Sequence, residues 1–325
     1  MILLPKANAG LSRQRSNLTI RAHAEPAIQT KICAPQANAP LAPRARTPCA
    51  RPQSERRSES MKRAAIGIVA FAWAASAQAE LPLARQKVDI SRASVDASIG
   101  FGLGSRHLSY HQALTSNLRP YDLDGAPMLT VALSAYPFAE QRALRDVGFC
   151  LDYASALGLT SATRGGTQLS SDWSRFDVGA RYRARAGAGP APAMFGLFAG
   201  YGLEQFLFTG ANALAADLPA AAYGFVRAAA DARVPVGPVA LTASMGYLHV
   251  VSNGDVGLRV RGTSNDGVEA SAGVSLPFAG NFEARISGVY TRFFYSFTPA
   301  AGDAFVAGGA LDQLFKGQLA LAWVH

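Results

Sequence analysis

Residues 147–160, VGFCLDYASALGLT, alternate bulky apolar side chains with small or polar ones, and this alternation decides the fold class. Side chains two residues apart lie on the same side of a β-strand. The stretch therefore predicts a strand with one apolar face and one small or polar face. The bulky positions are Val147, Phe149, Leu151, Tyr153, Leu157 and Leu159.

Nine further segments repeat this period of two. In residues 176–185 the alternation gathers the charged residues at 177, 181, 183 and 185 on one side, whereas a helix would scatter them around its circumference. No convincing long amphipathic helix lies between the segments, so the sequence predicts an all-β fold of about ten strands, with a range of 8–12. The other eight segments are 95–104, 129–138, 195–207, 225–236, 239–247, 268–278, 282–295 and 315–323.

Two all-β architectures fit this alternation, and they differ in which face meets water. A soluble sandwich or lipocalin buries its apolar face, whereas a transmembrane barrel turns that face to lipid. Here the polar face consists mainly of Gly, Ala and Ser, and only Lys87 and Lys316 supply lysine after residue 79. A spanning sheet must also close, because an edge in hydrocarbon leaves backbone groups unpaired. We therefore predict a transmembrane, antiparallel, up-and-down β-barrel over residues 80–325.

The connections between the segments alternate in length. Short Pro- or Gly-containing turns are predicted at Tyr136-Pro137-Phe138, 234–238 and 276–280. Short turns on one rim and long loops on the other are typical of bacterial outer-membrane barrels. The longer, polar connections are predicted at 105–127, 161–172, 208–221, 252–266 and 297–311.

Residues 61–79, MKRAAIGIVAFAWAASAQA, have the order of a secretory signal peptide: a positive start, an apolar run and small residues before the cut. The apolar run is shorter than the roughly 20 residues of a spanning helix. We predict cleavage after Ala79. Residues 1–60 are rich in Ala, Pro and Arg and predict a disordered segment. We interpret Met61 as the true start of the protein, the alternative being a basic leader that the cell discards.

Charge and cysteine content exclude several classes of function. The formal charge of +9 lies upstream of the cut, since residues 80–325 hold 19 basic and 19 acidic side chains. A nucleic-acid partner would require a basic patch on the functional domain. Only Cys150 follows residue 79, and no cysteine or histidine cluster predicts a metal site. We expect no cofactor, no metal and no nucleic-acid partner.

The chain resembles the small outer-membrane β-barrel proteins of Gram-negative bacteria. The resemblance is carried by the signal at 61–79, the strand–Pro–turn–strand units, and the closing segment GQLALAWVH at 317–325. In that family the last strand commonly alternates apolar residues and ends in an aromatic that the barrel-assembly machinery recognises. Here Trp323 is followed by Val324 and His325. The resemblance implies a monomer in the cell outer membrane, in contact with membrane lipid and lipopolysaccharide.

The predicted lumen face carries nearly balanced charges. Across a narrow bore these could form salt-bridge networks that close it, or they could line a small selective path. We favour closure, because unpaired buried charge is costly. Over both alternatives, we predict a structural, surface-exposed or narrow-channel (porin-like) role. The charges are Asp96, Asp152, Asp177, Arg181, Arg183, Glu204, Arg227, Asp231, Arg233, Glu269, Glu283 and Arg285.

A hydrolase, of protease or lipid-deacylase type, is the alternative. A histidine beside a serine or carboxylates can activate a hydroxyl or a water. None of the spacing matches a specific motif, so we predict no catalytic residue beyond weak candidates on a rim loop. These candidates are His107, His111, Asp122 and Asp124, with Ser105 and Ser109 nearby.

Overall fold

A computed structural model describes residues 92–325 except 139, 142, 163–165, 188–190 and 210–219, and only the backbone at 255, 257 and 258. The expectations for residues 1–60 and 61–79 lie outside the described residues. Within the described part, each of the ten predicted segments contains a long strand. The strand predicted at 147–160 is too long, because β3 ends at Ala156 before Gly158, which has a φ of 62°, and a short strand, β4, begins at Thr160. The strands are β1 Val95–His111, β2 Tyr121–Ala135, β3 Val147–Ala156, β4 Thr160–Ala162, β5 Gln168–Ala186, β6 Ala193–Thr209, β7 Ala221–Val236, β8 Val239–Ser252, β9 Ser264–Ala279, β10 Phe282–Ser296 and β11 Gly309–Val324.

The ten long strands close into a ring of antiparallel neighbours. Each long strand pairs with the next one along the chain, and β3 pairs directly with β5. The ring is closed by β1 and β11, which pair from Asp96↔Val324 to His111↔Gly309. The short strand β4 pairs with β5 alone, and it continues the β3–β5 ladder after a break at 157–159. The predicted antiparallel, up-and-down β-barrel is confirmed.

The outer wall of the barrel is apolar. On β3, Phe149 and Tyr153 point outward while Cys150 and Ala154 are buried inside, as the alternation predicts. Large exposed apolar side chains recur on every long strand, including Leu197, Met245, Ile286 and Leu319. A continuous belt of this kind is what a lipid-facing wall requires.

The two ends of the barrel differ in their connections. We call the end that holds Val95 and Val324 the terminal end and the opposite one the loop end. At the terminal end, two residues join β7 to β8 and two join β9 to β10. Gly237 and Gly280 lie there with φ of 59° and 50°, a conformation that tight hairpin turns demand and glycine tolerates. At the loop end, 112–120, 253–263 and 297–308 are longer, and Gly254–Arg259 forms a short helix, α1.

One predicted turn is wrong. Tyr136-Pro137-Phe138 is not a complete turn, because the connection from β2 to β3 runs from 136 to 146. The Tyr136 side chain is buried, and the Arg183 guanidinium lies over its ring at 3.6 Å. Prolines 235 and 277, which we placed in turns, lie within β7 and β9 near their ends.

The predicted loops are too long. β1 continues to His111 and β2 begins at Tyr121, so most of 105–127 is strand rather than loop. Similarly, β5 begins at Gln168, β9 at Ser264 and β11 at Gly309. The backbone ladder continues past the apolar belt, where the outward residues become polar and the alternation of hydrophobicity is lost. Among the described residues, no helix is long and apolar enough to cross a membrane.

The interior also differs from the prediction in its loop-end half. Large apolar side chains fill it instead of Gly, Ala and Ser, and Tyr223 stacks on Phe293 with ring centroids 4.0 Å apart. Connections contribute Leu159, Val256 and Phe297 to the same cluster. The cluster, which we call the apolar plug, includes Leu108, Met128, Trp173, Phe206, Tyr223, Phe225, Leu248, Phe293, Tyr295 and Leu314.

Candidate functional site: the barrel lumen

A salt bridge crosses the full width of the lumen beside the apolar plug. Lys316 on β11 donates to both carboxylate oxygens of Glu204 on β6, at 2.8 and 2.9 Å. Five steps round the ring separate β6 from β11, so the two residues come from opposite walls. Trp173 Nε1 donates to the same carboxylate at 2.7 Å. Both carboxylate oxygens of Glu204 thus accept hydrogen bonds although the side chain is buried.

Arg175 on β5 forms the second link across the lumen. Its guanidinium donates to Asp177 beside it, to Glu204 at 3.3 Å, and to Glu269 on β9. The other oxygen of Glu269 pairs with Arg227 at 2.8 Å. Together these bonds connect β5, β6, β7 and β9, so the inner charges form a network rather than isolated pairs.

Towards the loop end, an ion pair is buried within the plug. Arg106 on β1 donates to Asp312 on β11, with Nη2 to Oδ2 at 2.8 Å and Nε to Oδ1 at 3.0 Å. Tyr223, from β7, donates its hydroxyl to the same carboxylate. Arg106 also lies over the Phe206 ring at 4.4 Å. The hydrogen bonds compensate for the burial of both charges.

The terminal end carries its own set of ion pairs. Arg285 binds Asp96 with two bonds of 2.9 Å, and it also donates to Glu283 at 3.0 Å. Arg233 reaches the same Glu283 from β7 at 2.8 Å. A further pair joins Arg181 to Asp231.

At the mouth of this end, Arg183 donates to the backbone oxygen of Ala93 at 2.8 Å, which ties the segment before β1 to β5. Tyr136, beneath the same guanidinium, lies outside the strands, and burial raises the pKa of its hydroxyl.

All twelve predicted lumen residues lie inside the barrel or line its cavities, but the prediction missed four others. We call the whole set the lumen lattice; it holds as many carboxylates as cations. Arg175 lies two residues before Asp177, and Asp312 lies four residues before Lys316, so each is on the same inward face of its strand. Extending the alternation along β5 and β11 would have identified Arg175 and Asp312. Nothing in the sequence indicates that the lattice has a function beyond packing. The missed members are Arg106, Arg175, Asp312 and Lys316.

Two polar cavities lie within the lattice. One of about 350 Å³ is lined by Asp96, Arg181, Asp231 and Arg285 among others. The other, of about 220 Å³, is lined by Arg175, Asp177, Glu269 and Lys316 among others. Asp152, Arg227 and several serines line both, so the cavities adjoin. The terminal-end half of the lumen is therefore polar and roomy, whereas the loop-end half is apolar and packed.

The four weak catalytic candidates are not on a loop. His107 and His111 belong to β1, and Asp122 and Asp124 belong to β2. His107 bonds Asp122 across the two strands, and both side chains are exposed on the outer wall. Within the described residues, no hydrogen bond joins His107 to Ser105 or Ser109. The structure thus assembles a histidine–carboxylate pair without a nucleophile bonded to it.

Groups of side chains that could hold a metal ion do not occur among the described residues. The lumen instead offers cations, carboxylates and hydroxyls that bond one another. This is the chemistry of a structural network or of a polar passage, and the two are distinguished by whether the apolar plug closes the bore.

Comparison with known proteins gives distant structural likeness only. No family model and no curated protein matches the chain. The toluene transporter TbuX of Ralstonia pickettii is 10% identical with a TM-score of 0.30, covering 71% of this chain and 90% of its own. OprG, an outer membrane protein of Pseudomonas aeruginosa, is 8% identical with a TM-score of 0.26, covering 72% and 97%. The anion-selective porin of Comamonas acidovorans is 12% identical with a TM-score of 0.25, covering 72% and 56%. At these scores the likeness carries no argument about function.

Proposed function

We propose that the protein is a monomeric outer-membrane β-barrel that spans the bilayer with its lumen closed and presents its loop end at the cell surface. Its role is then structural or surface-exposed. The observation that carries the proposal is that the side chains are distributed oppositely to those of a soluble protein. Large apolar residues cover the outside, while paired charges and the apolar plug lie inside.

The height of the apolar belt supports a spanning position. On β10 the outward positions from Phe282 to Tyr290 are apolar or small, and Arg292 follows. Eight steps of about 3.4 Å give about 27 Å along the strand. At a tilt of about 40° this is about 21 Å across the membrane, close to the ~25 Å belt of outer-membrane barrels.

The interior supports closure over conduction. The largest side chains of the plug, among them Trp173, Phe225 and Phe293, are fully buried, so they leave no water-filled path at their level. The lattice neutralises its own charges, so no excess charge remains to select an ion. Ion pairs between most of the lattice members offset the cost of burying their charges.

The test has two parts. The protein is extracted from membranes and run in detergent gels before and after boiling, where a closed barrel migrates differently. It is then inserted into a planar bilayer. We expect heat-modifiable migration and no defined single-channel openings. Recovery as a water-soluble periplasmic protein would contradict the membrane proposal, and well-defined openings would contradict closure.

A narrow channel is the second candidate, and one observation favours it. The cavity of about 350 Å³ at the terminal end is lined by charges and hydroxyls, as a selective aqueous path would be. The conductance measurement decides between the two. The hydrolase alternative stays a prediction that the geometry does not support; loss of a measured lipase or protease activity in H107A and H111A would revive it.

A further inference from the structure

Arg292 lies on the outer wall of the barrel. Its neighbours in β10, Thr291 and Phe293, are 1% and 0% exposed and point inward, so Arg292 points outward. Its guanidinium rests over the ring of Phe294 on the same face, at 4.9 Å. Arg292 is the first charged outward residue of β10 after the apolar or small positions from Phe282 to Tyr290.

No carboxylate in the described part of the chain forms an ion pair with this guanidinium. Among the described residues Arg292 has no hydrogen bond and no ion pair, and its Nε is buried without a partner. The outward carboxylates near it are already engaged: Asp266 pairs with His249 at 3.0 Å, and Asp122 pairs with His107. The guanidinium of Arg292 is therefore available to bind an anionic ligand from outside the barrel.

The strand register places Arg292 in a polar row at the edge of the apolar belt. Gln313 lies beside it on β11, and His107 lies beside Gln313 on β1. Below this row the outward residues are Tyr290, Phe315 and Ser105, and on β1 the apolar belt begins one outward position further, at Leu103. The Tyr290 hydroxyl donates to Gln313 Oε1 at 2.8 Å, so the side-chain NH₂ group of Gln313 can still donate to a ligand. The row thus offers donors where the lipid tails end and the headgroups begin.

We propose that Arg292, with Gln313 and His107 beside it, binds a phosphate of the lipopolysaccharide headgroup. The inference rests on the proposed function, since loops outward and turns in the periplasm put this row in the outer leaflet. Guanidinium binds phosphate through two parallel hydrogen bonds, and its charge complements the headgroup. An arginine at the interface costs only about 0–1 kcal/mol against several at the membrane centre, so the position tolerates it. The phosphate is one carried by lipid, because the site opens sideways into the membrane rather than into water.

The experiment compares lipid binding by matched variants. Four barrels are folded in vesicles of phosphatidylethanolamine and phosphatidylcholine. They are the wild type, Arg292→Gln, Arg292→Lys and the control Arg119→Gln. Arg119 is also exposed at the loop end but lies in a connection. Heat-modifiable migration is checked first. Each detergent-extracted barrel is then titrated with bisphosphorylated lipid A, with dephosphorylated lipid A, and with bisphosphorylated lipid A plus excess inorganic phosphate, and complexes are counted by native mass spectrometry.

We expect the wild type and Arg119→Gln to bind bisphosphorylated lipid A about tenfold more tightly than Arg292→Gln does. Arg292→Lys should keep part of the affinity, and dephosphorylated lipid A should bind all four equally weakly. Equal binding by Arg292→Gln and wild type overturns the proposal, as does displacement of lipid A by inorganic phosphate. Failure of every barrel to show heat-modifiable folding overturns the proposed function itself, and this inference with it.

Discussion

Lys316 and Glu204 join opposite walls of the barrel through two hydrogen bonds of 2.8 and 2.9 Å. They are 112 residues apart in the chain and five strands apart in the ring. The bridge therefore forms only when the ring has closed, and it couples the last strand to the middle of the sheet. Its partners Trp173 and Arg175 extend the link to β5.

Removal of Lys316 should destabilise the barrel strongly. K316M leaves a buried carboxylate with one cation fewer, and breaking such a pair typically costs about 3–5 kcal/mol. Because Arg175 and Trp173 still bond Glu204, we expect the lower end, about 3 kcal/mol, in the free energy of unfolding. Urea unfolding in lipid vesicles, followed by tryptophan fluorescence, measures it.

The double variant provides the control for this pair. E204Q with K316M removes both charges, so it should lose less than the sum of the two single variants. L319M, on the outward face of the same strand, should stay within about 1 kcal/mol of wild type. If K316M unfolds at the wild-type urea concentration, the bridge does not stabilise the closed ring.

Gly104 should resist even the smallest enlargement. A Cβ there would lie 2.5 Å from the Trp173 ring and 2.6 Å from the Met128 sulfur, in the middle of the packed interior. Overpacking of a tight core costs about 1–3 kcal/mol. G104A should therefore lower stability and shift the Trp173 emission. G288A is the matched control, since its Cβ would meet Phe315 at an ordinary 3.5 Å; similar effects of both changes would argue against the packing seen around Trp173.

The shortest ladder between two long strands of the described barrel joins β2 to β3. These strands pair over 8 residues, from Met128↔Ala156 to Ala135↔Phe149, whereas β5 and β6 pair over 17. Fewer ladder bonds permit local opening at lower free energy. Hydrogen exchange of the membrane-embedded protein should therefore proceed faster for amides of β3 than for those of β6. Faster exchange in β6 than in β3 would place the weak seam elsewhere.

The sequence predicts the barrel well because the same alternation holds on every long strand. Within the belt, an outward residue such as Leu319 must be apolar, and its neighbours Gln318 and Ala320 face inward, so the period of two survives in all ten segments. Beyond the belt the rule ends. In Tyr290 to Tyr295 aromatics occupy both faces, because the inner one belongs to the apolar plug. The alternation is then invisible, although the backbone ladder continues.

The candidate site is predictable only in part, for a related reason. Alternation assigns Asp177 and Glu269 to the inner face, but it cannot say that Arg175 links them across the lumen. Such partners depend on strand tilt and ring closure, which no local pattern contains. His107 and Asp122 show the opposite error: their polarity suggested a loop, whereas they form a pair on the outer wall.

The most direct test of the account uses two tryptophans that face opposite ways. Trp173 is fully buried inside the barrel, and Trp323 is exposed on the outer wall near the terminal end. W173F keeps Trp323 of this pair, and W323F keeps Trp173. Both variants are folded in vesicles whose lipids carry bromine near the headgroup end of the acyl chains. We predict strong quenching of Trp323 fluorescence and little quenching of Trp173. Equal quenching of the two, or none of Trp323, would contradict a barrel whose apolar wall faces lipid.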